Sequence, residues 1–457
     1  MKHKMTILAL LIFALALQAQ PVFGQAGYSS ASMSRSRAGY LPRLADIRIE
    51  EFINYHRHQI DLPKKGKRVE LDVRWNKLNE KDAILQIGMA TPRAIDSESL
   101  PPLNLVLVID RSGSMSGPRI EKVREAILAF VEGLRKDDLV TIVGFNEQAT
   151  VHLKACKKTD SNQIAKAVKS VQATGYTNLH AGLMLGYREA IKNFDEARSN
   201  RVILLSDGIS NRGQIDPEIV AEDSRKFNKK GIELSTIGLG SNFNEKLLRE
   251  LADAGRGQIH FVADENDIKK TFIDELDSLL APAARKVRLS VGFDDRESVR
   301  FFGYERNQQG SSGVFRLDNF NCGLTQVVMA KVKDFRQVGE VDVKLTYEDA
   351  LTGKKIKLEQ TVDFQDREAA GGFLADTELR KNFAITKLAN SIRLALEKME
   401  KKEFHKAQKK LQNGIDFAKE YYPKGKDKDV DRMLKIVRDY QEKFQNVARW
   451  SSEEDDD

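Results

Sequence analysis

The sequence predicts an α/β protein in which a doubly wound, mostly parallel sheet is inserted in a β-sandwich and followed by a C-terminal helical region. Three observations predict this fold class. Between about residues 99 and 283, short apolar segments alternate with helical segments, which is typical of parallel strands joined by right-handed crossovers. On both sides of that region, shorter segments alternate apolar and polar side chains, as half-buried strands do. Residues 373–450 show helical periodicity almost throughout.

Length and composition are ordinary for a globular protein of several domains. The 457 residues suffice for two to four domains with sizeable cores. Hydrophobic residues make up 41% of the chain and charged residues 31%, and the formal charge is +7 from 74 basic and 67 acidic residues. Because no basic run is interleaved with aromatic residues, this charge does not indicate a nucleic-acid-binding protein.

The N-terminus is typical of a secreted protein. Basic residues precede an apolar run at 7–17 and small residues follow it, so residues 1–24 are predicted to be a signal peptide cleaved after Ala19 or Gly24. A retained membrane anchor is the alternative, although the run is too short to span a bilayer. We therefore expect a secreted or periplasmic protein without a transmembrane helix in the mature chain, and association with the outer surface stays open.

The two cysteines, Cys156 and Cys322, lie far apart in the sequence. An oxidising compartment permits a disulfide between them, but two cysteines alone do not establish one. Two separate buried thiols are an equally good interpretation, and the fold must rest on hydrophobic burial in either case.

Residues 25–98 contain a predicted arm, a helix and two strands. The arm at 25–42 is rich in Ser, Gly and Arg, a composition typical of disorder. The region 43–98 follows, with helical spacing of apolar residues at 47–58 and alternating strands at 69–75 and 83–89. His56-Arg57-His58 is interpreted as a solvated helix face, because no third metal ligand is spaced nearby.

The α/β domain is placed at residues 99–283. Its first strand, Leu103–Ile109, is nearly all apolar, which predicts burial on both faces of a parallel sheet. Further strands are predicted at 139–145, 150–153 (an edge strand), 202–205, 233–238 and 258–262. Helices are predicted at 120–134, 179–194, 217–228, 244–254 and 267–280.

The β-sandwich is expected to be completed after this domain, at residues 284–366. Short alternating strands are predicted there at 287–291, 314–317, 326–332, 341–347 and 356–362. Two strands alone cannot bury a face, so those before the α/β domain are expected to pair with the later ones.

The region 373–450 is predicted to form amphipathic helices at about 376–399, 403–421 and 428–447. The middle one resembles one helix of a tetratricopeptide-type hairpin, but a single copy does not indicate a repeat stack. Residues 451–457 are expected to be a solvated acidic tail.

Side chains with oxygen donors follow the first buried strand. Asp110 stands at its carboxyl end, where ligands bind in doubly wound sheets. The next turn carries Ser112 and Ser114, whose hydroxyls are expected to point at one spot. Thr177, before a helix, and Asp207, after strand 202–205, supply further oxygens. Such a set suits a hard cation such as Mg²⁺, which prefers oxygen ligands.

Each of these residues also has a purely structural interpretation. Ser112 or Ser114 alone is often a helix N-cap, Asp207-Gly208 alone is usually a turn, and Thr177-Asn178 can cap the next helix. Their order along the chain, and the element that each one follows, favours a metal site. The nearby histidines are not needed, since softer ligands suit zinc better.

Together these segments resemble the metal-ion-dependent adhesion site of von Willebrand factor A-type domains. The residues at the matching positions are Asp110, Ser112 and Ser114 of the D-x-S-x-S element, Thr177 and Asp207. The resemblance covers about 180 residues and extends to the stretch 248–261. Residues 49–55 resemble the region that precedes this domain in some bacterial secreted or envelope proteins.

The resemblance implies a Rossmann-like fold and a site for Mg²⁺, or for Mn²⁺ or Ca²⁺. Ser112, Ser114 and Thr177 would be direct ligands, and the two aspartates would act directly or through water. An open coordination position would then accept an Asp or Glu side chain of a partner protein.

The expected function is metal-dependent protein binding, in adhesion or in the assembly of an envelope complex. An enzyme is not expected, because the chain has no phosphate-binding loop, His-Glu-x-x-His helix or Gly-x-Ser-x-Gly elbow. Two alternatives stay open: a structural scaffold that binds through its C-terminal helices, and a hydrolase.

Overall fold

The computed structural model describes a large part of the chain, in the following ranges: 44, 47–93, 101–207, 210–239, 244–262, 268–269, 272–273, 282–293, 299–304, 308–309, 312–317, 319–366, 373–423 and 426–453. The predicted signal peptide and arm lie outside these residues, as do most of the predicted helix at 267–280 and the end of the acidic tail. Within these ranges, no helix is long and apolar enough to cross a membrane.

Within the described residues, α1 (Ile49–Ile53), β1 (Glu70–Lys77) and β2 (Ala83–Ala90) precede the α/β domain. Helix α1 is shorter than the predicted helix at 47–58. It ends at Asn54, whose side-chain amide donates to the carbonyl oxygen of Val327 at 3.0 Å. This contact with a distant strand stops the helix after little more than one turn.

The α/β domain alternates strands and helices. Its strands are β3 (Leu103–Asp110), β4 (Leu139–Phe145), β5 (Ala149–Lys157), β6 (Ser199–Ser206), β7 (Glu233–Leu239) and β8 (Arg256–Val262). Its helices include α2 (Pro118–Gly133), α3 (Ser161–Ser170), α4 (Leu179–Lys192), α5 (Pro217–Asn228) and α6 (Glu245–Gly255).

These six strands form one sheet in the order β5-β4-β3-β6-β7-β8, parallel except for the edge pair β4–β5. The chain leaves central strand β3 toward β4 on one side and later returns to β6 on the other. That reversal places the carboxyl ends of β3 and β6 side by side, with Ile109 paired with Leu205. The predicted doubly wound sheet is confirmed, and the strand order reverses at the carboxyl ends of β3 and β6.

Helix α3 is an α-helix of this domain that the sequence analysis omits. Ile164, Ala167 and Val168 on it are buried, and Val171 follows at the same helical spacing. This i, i+3, i+4, i+7 pattern was sufficient to predict the helix.

The sandwich strands after the α/β domain are β9 (Pro282–Gly292), β10 (Val299–Phe301), β11 (Gln308–Gln309), β12 (Ser312–Arg316), β13 (Phe320–Asn321), β14 (Thr325–Val332), β15 (Glu340–Asp349) and β16 (Lys355–Asp363), with a short helix α7 (Phe335–Val338). One sheet has the order β1-β2-β14-β10, and the other the order β11-β12-β9-β15-β16, with β13 on β9. Strands from before and after the α/β domain therefore share a sheet, as predicted. Leu85 and Val328 of the first sheet pack with Leu289 and Leu345 of the second in one core.

Three C-terminal helices complete the described structure: α8 (Thr377–Met399), α9 (Phe404–Tyr421) and α10 (Lys428–Glu453). They form a core with the outer face of the first sheet, where Ile84 and Val327 meet Phe383 and Leu388. All eight residues of β2 are consequently buried. The prediction of a half-buried strand there was wrong, because the helices cover its second face.

Both cysteines are buried free thiols in the structure. Cys156 lies on edge strand β5 of the α/β domain, whereas Cys322 follows β13 in the sandwich. Of the two interpretations left open by the sequence, the structure shows the separate thiols.

Candidate metal centre

Asp110 is the last residue of β3, and its side chain is fully buried. One carboxylate oxygen accepts the backbone N–H of Ser112 at 2.9 Å, and the other accepts the Ser206 hydroxyl at 2.7 Å. Burial raises the pKa of Asp110 to about 6, although the hydrogen bond from Ser206 opposes that rise. Hydrogen bonds from Ser112 and Ser206 therefore hold this carboxylate in place.

Ser112 and Ser114 follow on a tight turn that includes the 3₁₀ segment Gly113–Met115. Their hydroxyl oxygens lie 3.0 Å apart, so the expectation that both hydroxyls point at one spot agrees with the geometry. The side chain of Ser112 makes no capping hydrogen bond on this turn, and the N-cap of α2 is Gly117. Helix capping therefore does not account for Ser112.

Asp207 immediately follows β6 and is also buried. Its Oδ1 accepts a hydrogen bond from the Ser114 hydroxyl at 2.8 Å, and its Oδ2 accepts one from Nη1 of Arg119 at 2.5 Å. Ser114 thus joins the turn after β3 to the end of the neighbouring strand. Gly208, the other half of the predicted turn, lies outside the described residues.

Thr177 lies on a separate turn that the backbone holds against the serine turn. Gly113 N–H donates to the Gly175 carbonyl at 2.9 Å, and Thr174 N–H donates to the Arg111 carbonyl at 2.8 Å. Thr177 itself is buried, and Asn178 caps α4 by accepting the Ala181 N–H. The cap is thus supplied by Asn178, which leaves the Thr177 hydroxyl for another role.

The five predicted site residues are therefore at the same edge of the sheet, on three turns. Direct hydrogen bonds link Ser112, Ser114 and Asp207, whereas Thr177 is connected through the backbone of its turn. All five offer hard oxygen atoms, which fits Mg²⁺, Mn²⁺ or Ca²⁺ better than a soft metal. A cation would also stabilise the ionised form of the buried Asp110 carboxylate.

Residues 104–274 match the sequence profile of the von Willebrand factor type A domain. The chain contains a von Willebrand factor type A domain. The solved structure titled von Willebrand factor type A from Catenulispora acidiphila aligns with 82% of this chain and 91% of its own, with a TM-score of 0.53 at 16% identity. That likeness concerns the fold.

Two curated relatives extend the comparison. The uncharacterized protein YfbK of Escherichia coli (strain K12) is 28% identical over 367 residues, which is 77% of this chain and 60% of the relative. Inter-alpha-trypsin inhibitor heavy chain H3 of Mus musculus is 30% identical over 174 residues, which is 36% of this chain and 20% of the relative. The chain thus spans no more than about 60% of either relative's length.

Sequence reasoning missed two residues that contact the candidate site in the von Willebrand factor A domain. Ser206 donates to Asp110, and its position next to Asp207 becomes informative only once β3 and β6 are known to be neighbours. Arg119 contacts Asp207 from the first turn of α2, where an arginine would otherwise be taken for a solvent-exposed helix residue.

The interpretation of His56-Arg57-His58 as a solvated helix face was wrong for the two histidines. Both are buried, because α8 lies over them. His56 Nε2 and His58 Nδ1 lie 3.1 and 3.2 Å from Oδ1 of Asn382, and His58 Nδ1 lies 3.4 Å from Oε1 of Glu378. We call His56, His58, Glu378, Lys381 and Asn382 the histidine cluster.

Three potential metal-ligand atoms lie within 4.8 Å of one another, one each on His56, His58 and Glu378. A metal ion can bind at that spacing. The surroundings argue for a structural network instead. Lys381 Nζ lies 3.1 Å from Oε2 of Glu378, so an ammonium group already balances the carboxylate. Asn382 also donates to Gln86 at 3.0 Å and to Glu378 at 3.2 Å, which joins α8 to β2.

Proposed function

We propose that the von Willebrand factor A domain binds one divalent cation, Mg²⁺ first and Mn²⁺ or Ca²⁺ as alternatives, at a metal-ion-dependent adhesion site. The ligand set is Asp110, Ser112, Ser114, Thr177 and Asp207. The observation that carries the proposal is the chain of hydrogen bonds from Ser112 through Ser114 to Asp207, which joins the ends of two adjacent strands.

The bound ion would capture an Asp or Glu side chain of a protein partner. Support comes from exposure, since Asp110 is buried beneath the site while Ser114 is exposed at its surface. An ion held there would be approached from the solvent side. Hydroxyl ligands leave more positive charge on such an ion than carboxylate ligands do, which favours capture of an added carboxylate.

Mg²⁺ binding to the purified chain, measured by isothermal titration calorimetry, tests the metal site. Asp110→Asn keeps the shape of the side chain but removes its charge, and Ser114→Ala removes one hydroxyl; we expect roughly tenfold or greater weakening for each. Ser116→Ala is the matched control, since Ser116 is an exposed serine two residues further along the same turn. Equal affinity in all four proteins, or no binding to the wild type, would refute the site.

Crosslinked affinity capture from a cell-envelope extract tests the partner. Wild type with Mg²⁺ should retain proteins that are lost with EDTA and with Asp110→Asn. If the same proteins are retained with EDTA and with Asp110→Asn, the result would favour the scaffold function. The structure does not single out the C-terminal helices for that role, because the exposed large hydrophobic side chains of the described residues lie outside α8, α9 and α10.

We infer that the protein is not an enzyme. Ser112 and Ser114 are the obvious candidate nucleophiles, but their described side-chain hydrogen bonds go to each other and to Asp207 rather than to a histidine base. Hydrolysis of an ester and peptide substrate panel that Ser112→Ala or Ser114→Ala abolishes would establish the hydrolase alternative instead.

Secretion or a periplasmic location is also part of the proposal. It rests on the basic, apolar and small-residue order of residues 1–24. Mass spectrometry of the protein recovered from bacterial fractions should find a mature N-terminus after Ala19 or Gly24 outside the cytoplasm. An intact N-terminus in the membrane fraction would show a retained anchor.

A further inference from the structure

Arg119 is a basic side chain that contacts two residues of the candidate metal site, Ser114 and Asp207. Its Nη1 lies 2.5 Å from Oδ2 of Asp207 and donates to the backbone carbonyl of Ser114 at 3.2 Å. The Asp207 side chain is fully buried, whereas that of Arg119 is about one-quarter exposed. The guanidinium therefore closes the solvent side of a buried carboxylate.

The local chain geometry brings Arg119 to this position. Gly117 has a φ of 79° and turns the chain directly after the serine turn, and Pro118 then begins α2. Arg119 is thus the second residue of a helix that starts beside Asp207. A guanidinium stays protonated at all ordinary pH values, so this positive charge is permanent.

We propose that Arg119 competes with the divalent cation for the Asp207 carboxylate and so weakens cation binding to the site. This inference rests on the metal site proposed above. With Ser114 on Oδ1 and Arg119 on Oδ2, both oxygens of Asp207 already have donors. A cation that uses this carboxylate has to share it with, or displace, a group of the same charge sign.

Arg119 also touches the serine turn, so its removal could instead loosen the site. The turn has other restraints that do not involve Arg119. Gly113 N–H donates to Gly175 at 2.9 Å, Met115 N–H donates to Ser112 at 3.0 Å, and the Ser114 hydroxyl donates to Asp207 at 2.8 Å. Because these bonds remain without Arg119, we expect the loss of like-charge repulsion to exceed the loss of one partly exposed contact.

Arg119→Met tests the inference, because methionine keeps a long side chain and removes the charge. Titration calorimetry should show Mg²⁺ binding roughly tenfold tighter than in wild type, an order expected for removing one partly screened charge. Lys122→Met is the matched control: it removes one positive charge from a partly exposed position on the same helix and should leave the affinity within about twofold. Arg119→Gln is a second variant with a polar side chain, and circular dichroism checks that each protein is folded.

The sign of the change separates competition from support. Tighter Mg²⁺ binding in Arg119→Met and Arg119→Gln, with Lys122→Met unchanged, would support competition. Unchanged or weaker binding in the folded variants, while the wild type binds Mg²⁺, would overturn this inference and leave the metal site standing. Absence of Mg²⁺ binding in every protein, wild type included, would overturn both.

Discussion

The carboxylates at the strand ends and the carboxylate of the histidine cluster are all buried, but their charges are balanced differently. At the ends of β3 and β6, Asp110 and Asp207 face hydroxyls and the guanidinium of Arg119, and the exposed Ser114 opens the cluster to solvent. In the histidine cluster, Glu378 of α8 is paired with Lys381 of the same helix and with His58. The first cluster keeps an excess of negative charge at an accessible place, which suits an exchangeable ligand. The second contains its own counter-charge and suits a fixed connection between elements.

Glu378→Ala should have the largest effect and would act on the histidine cluster alone. It leaves the buried ring of His58 without its carboxylate and the ammonium of Lys381 with the carboxylate of Asp429 at 4.0 Å, at a cost of about 3 kcal/mol of unfolding free energy. Urea denaturation measures the loss. Glu397→Ala, on the same helix with a surface partner at Arg393, should cost no more than about 0.5 kcal/mol. If the two variants are equally stable, the histidine cluster is not a structural connection.

Lowering the pH should reduce the stability that the histidine cluster contributes. Burial alone would raise the pKa of Glu378 above its ordinary value of 4.5, but the hydrogen bond from His58 and the charge of Lys381 hold this pKa at about 2. The unfolded chain therefore takes up a proton first, and roughly 3 kcal/mol of stability, present above pH 4.5, is lost as the pH falls toward 2. Urea midpoints at several pH values should fall in wild type and change less in Glu378→Gln.

His56 adds a milder dependence at higher pH. Burial, reinforced by His58 and Lys381, lowers the pKa of His56 well below 6.5. Since the unfolded histidine is protonated below pH 6.5 and the folded one is not, stability contributed by neutral His56 is lost as the pH falls below 6.5. His56→Gln should flatten the stability profile between pH 6.5 and 5. An unchanged slope would show that His56 does not titrate in this way.

Mg²⁺ should stabilise the cluster at the strand ends and leave the histidine cluster unaffected. If the ion binds the folded chain alone, a concentration 100 times its dissociation constant adds about 2.7 kcal/mol. The midpoint of thermal unfolding should rise with Mg²⁺ in wild type and in Glu378→Gln, and by clearly less in Asp110→Asn, whose affinity for the ion is expected to be lower. A rise of equal size in Asp110→Asn would mean that the ion stabilises the protein at another place.

Sequence patterns predicted the cluster at the strand ends well because its signals are local. The apolar strand ending at Asp110 and the spacing of Ser112 and Ser114 sit in one short segment, and the sheet rules place the end of strand 202–205 on the same edge. The contact of Arg119 with Asp207 could not be predicted from the sequence, since it depends on the angle at which α2 begins.

The histidine cluster could not be predicted because its partners are remote. His56 lies 326 residues from Asn382 in the sequence, and its burial requires α8 to cover a sheet that itself combines early and late strands. The same cause defeated the prediction for β2, whose outer face is buried by helices rather than exposed to water. Tertiary burial decided these positions, and periodicity within a short window cannot report it.

The pairing of β2 with β14 also imposes an order on biosynthesis. The pairings among β3 to β8 lie within residues 103–262, whereas Gln86 of β2 must await Asn382, 296 residues later. As the ribosome extends the chain, the α/β domain has all its strands long before the N-terminal hairpin receives either its neighbouring strand or its helical cover. During that interval the nascent protein exposes the β1–β2 hairpin, whose β2 edge has not yet paired with β14. Unpaired apolar strand edges of this kind are prone to aggregation, which chaperones prevent.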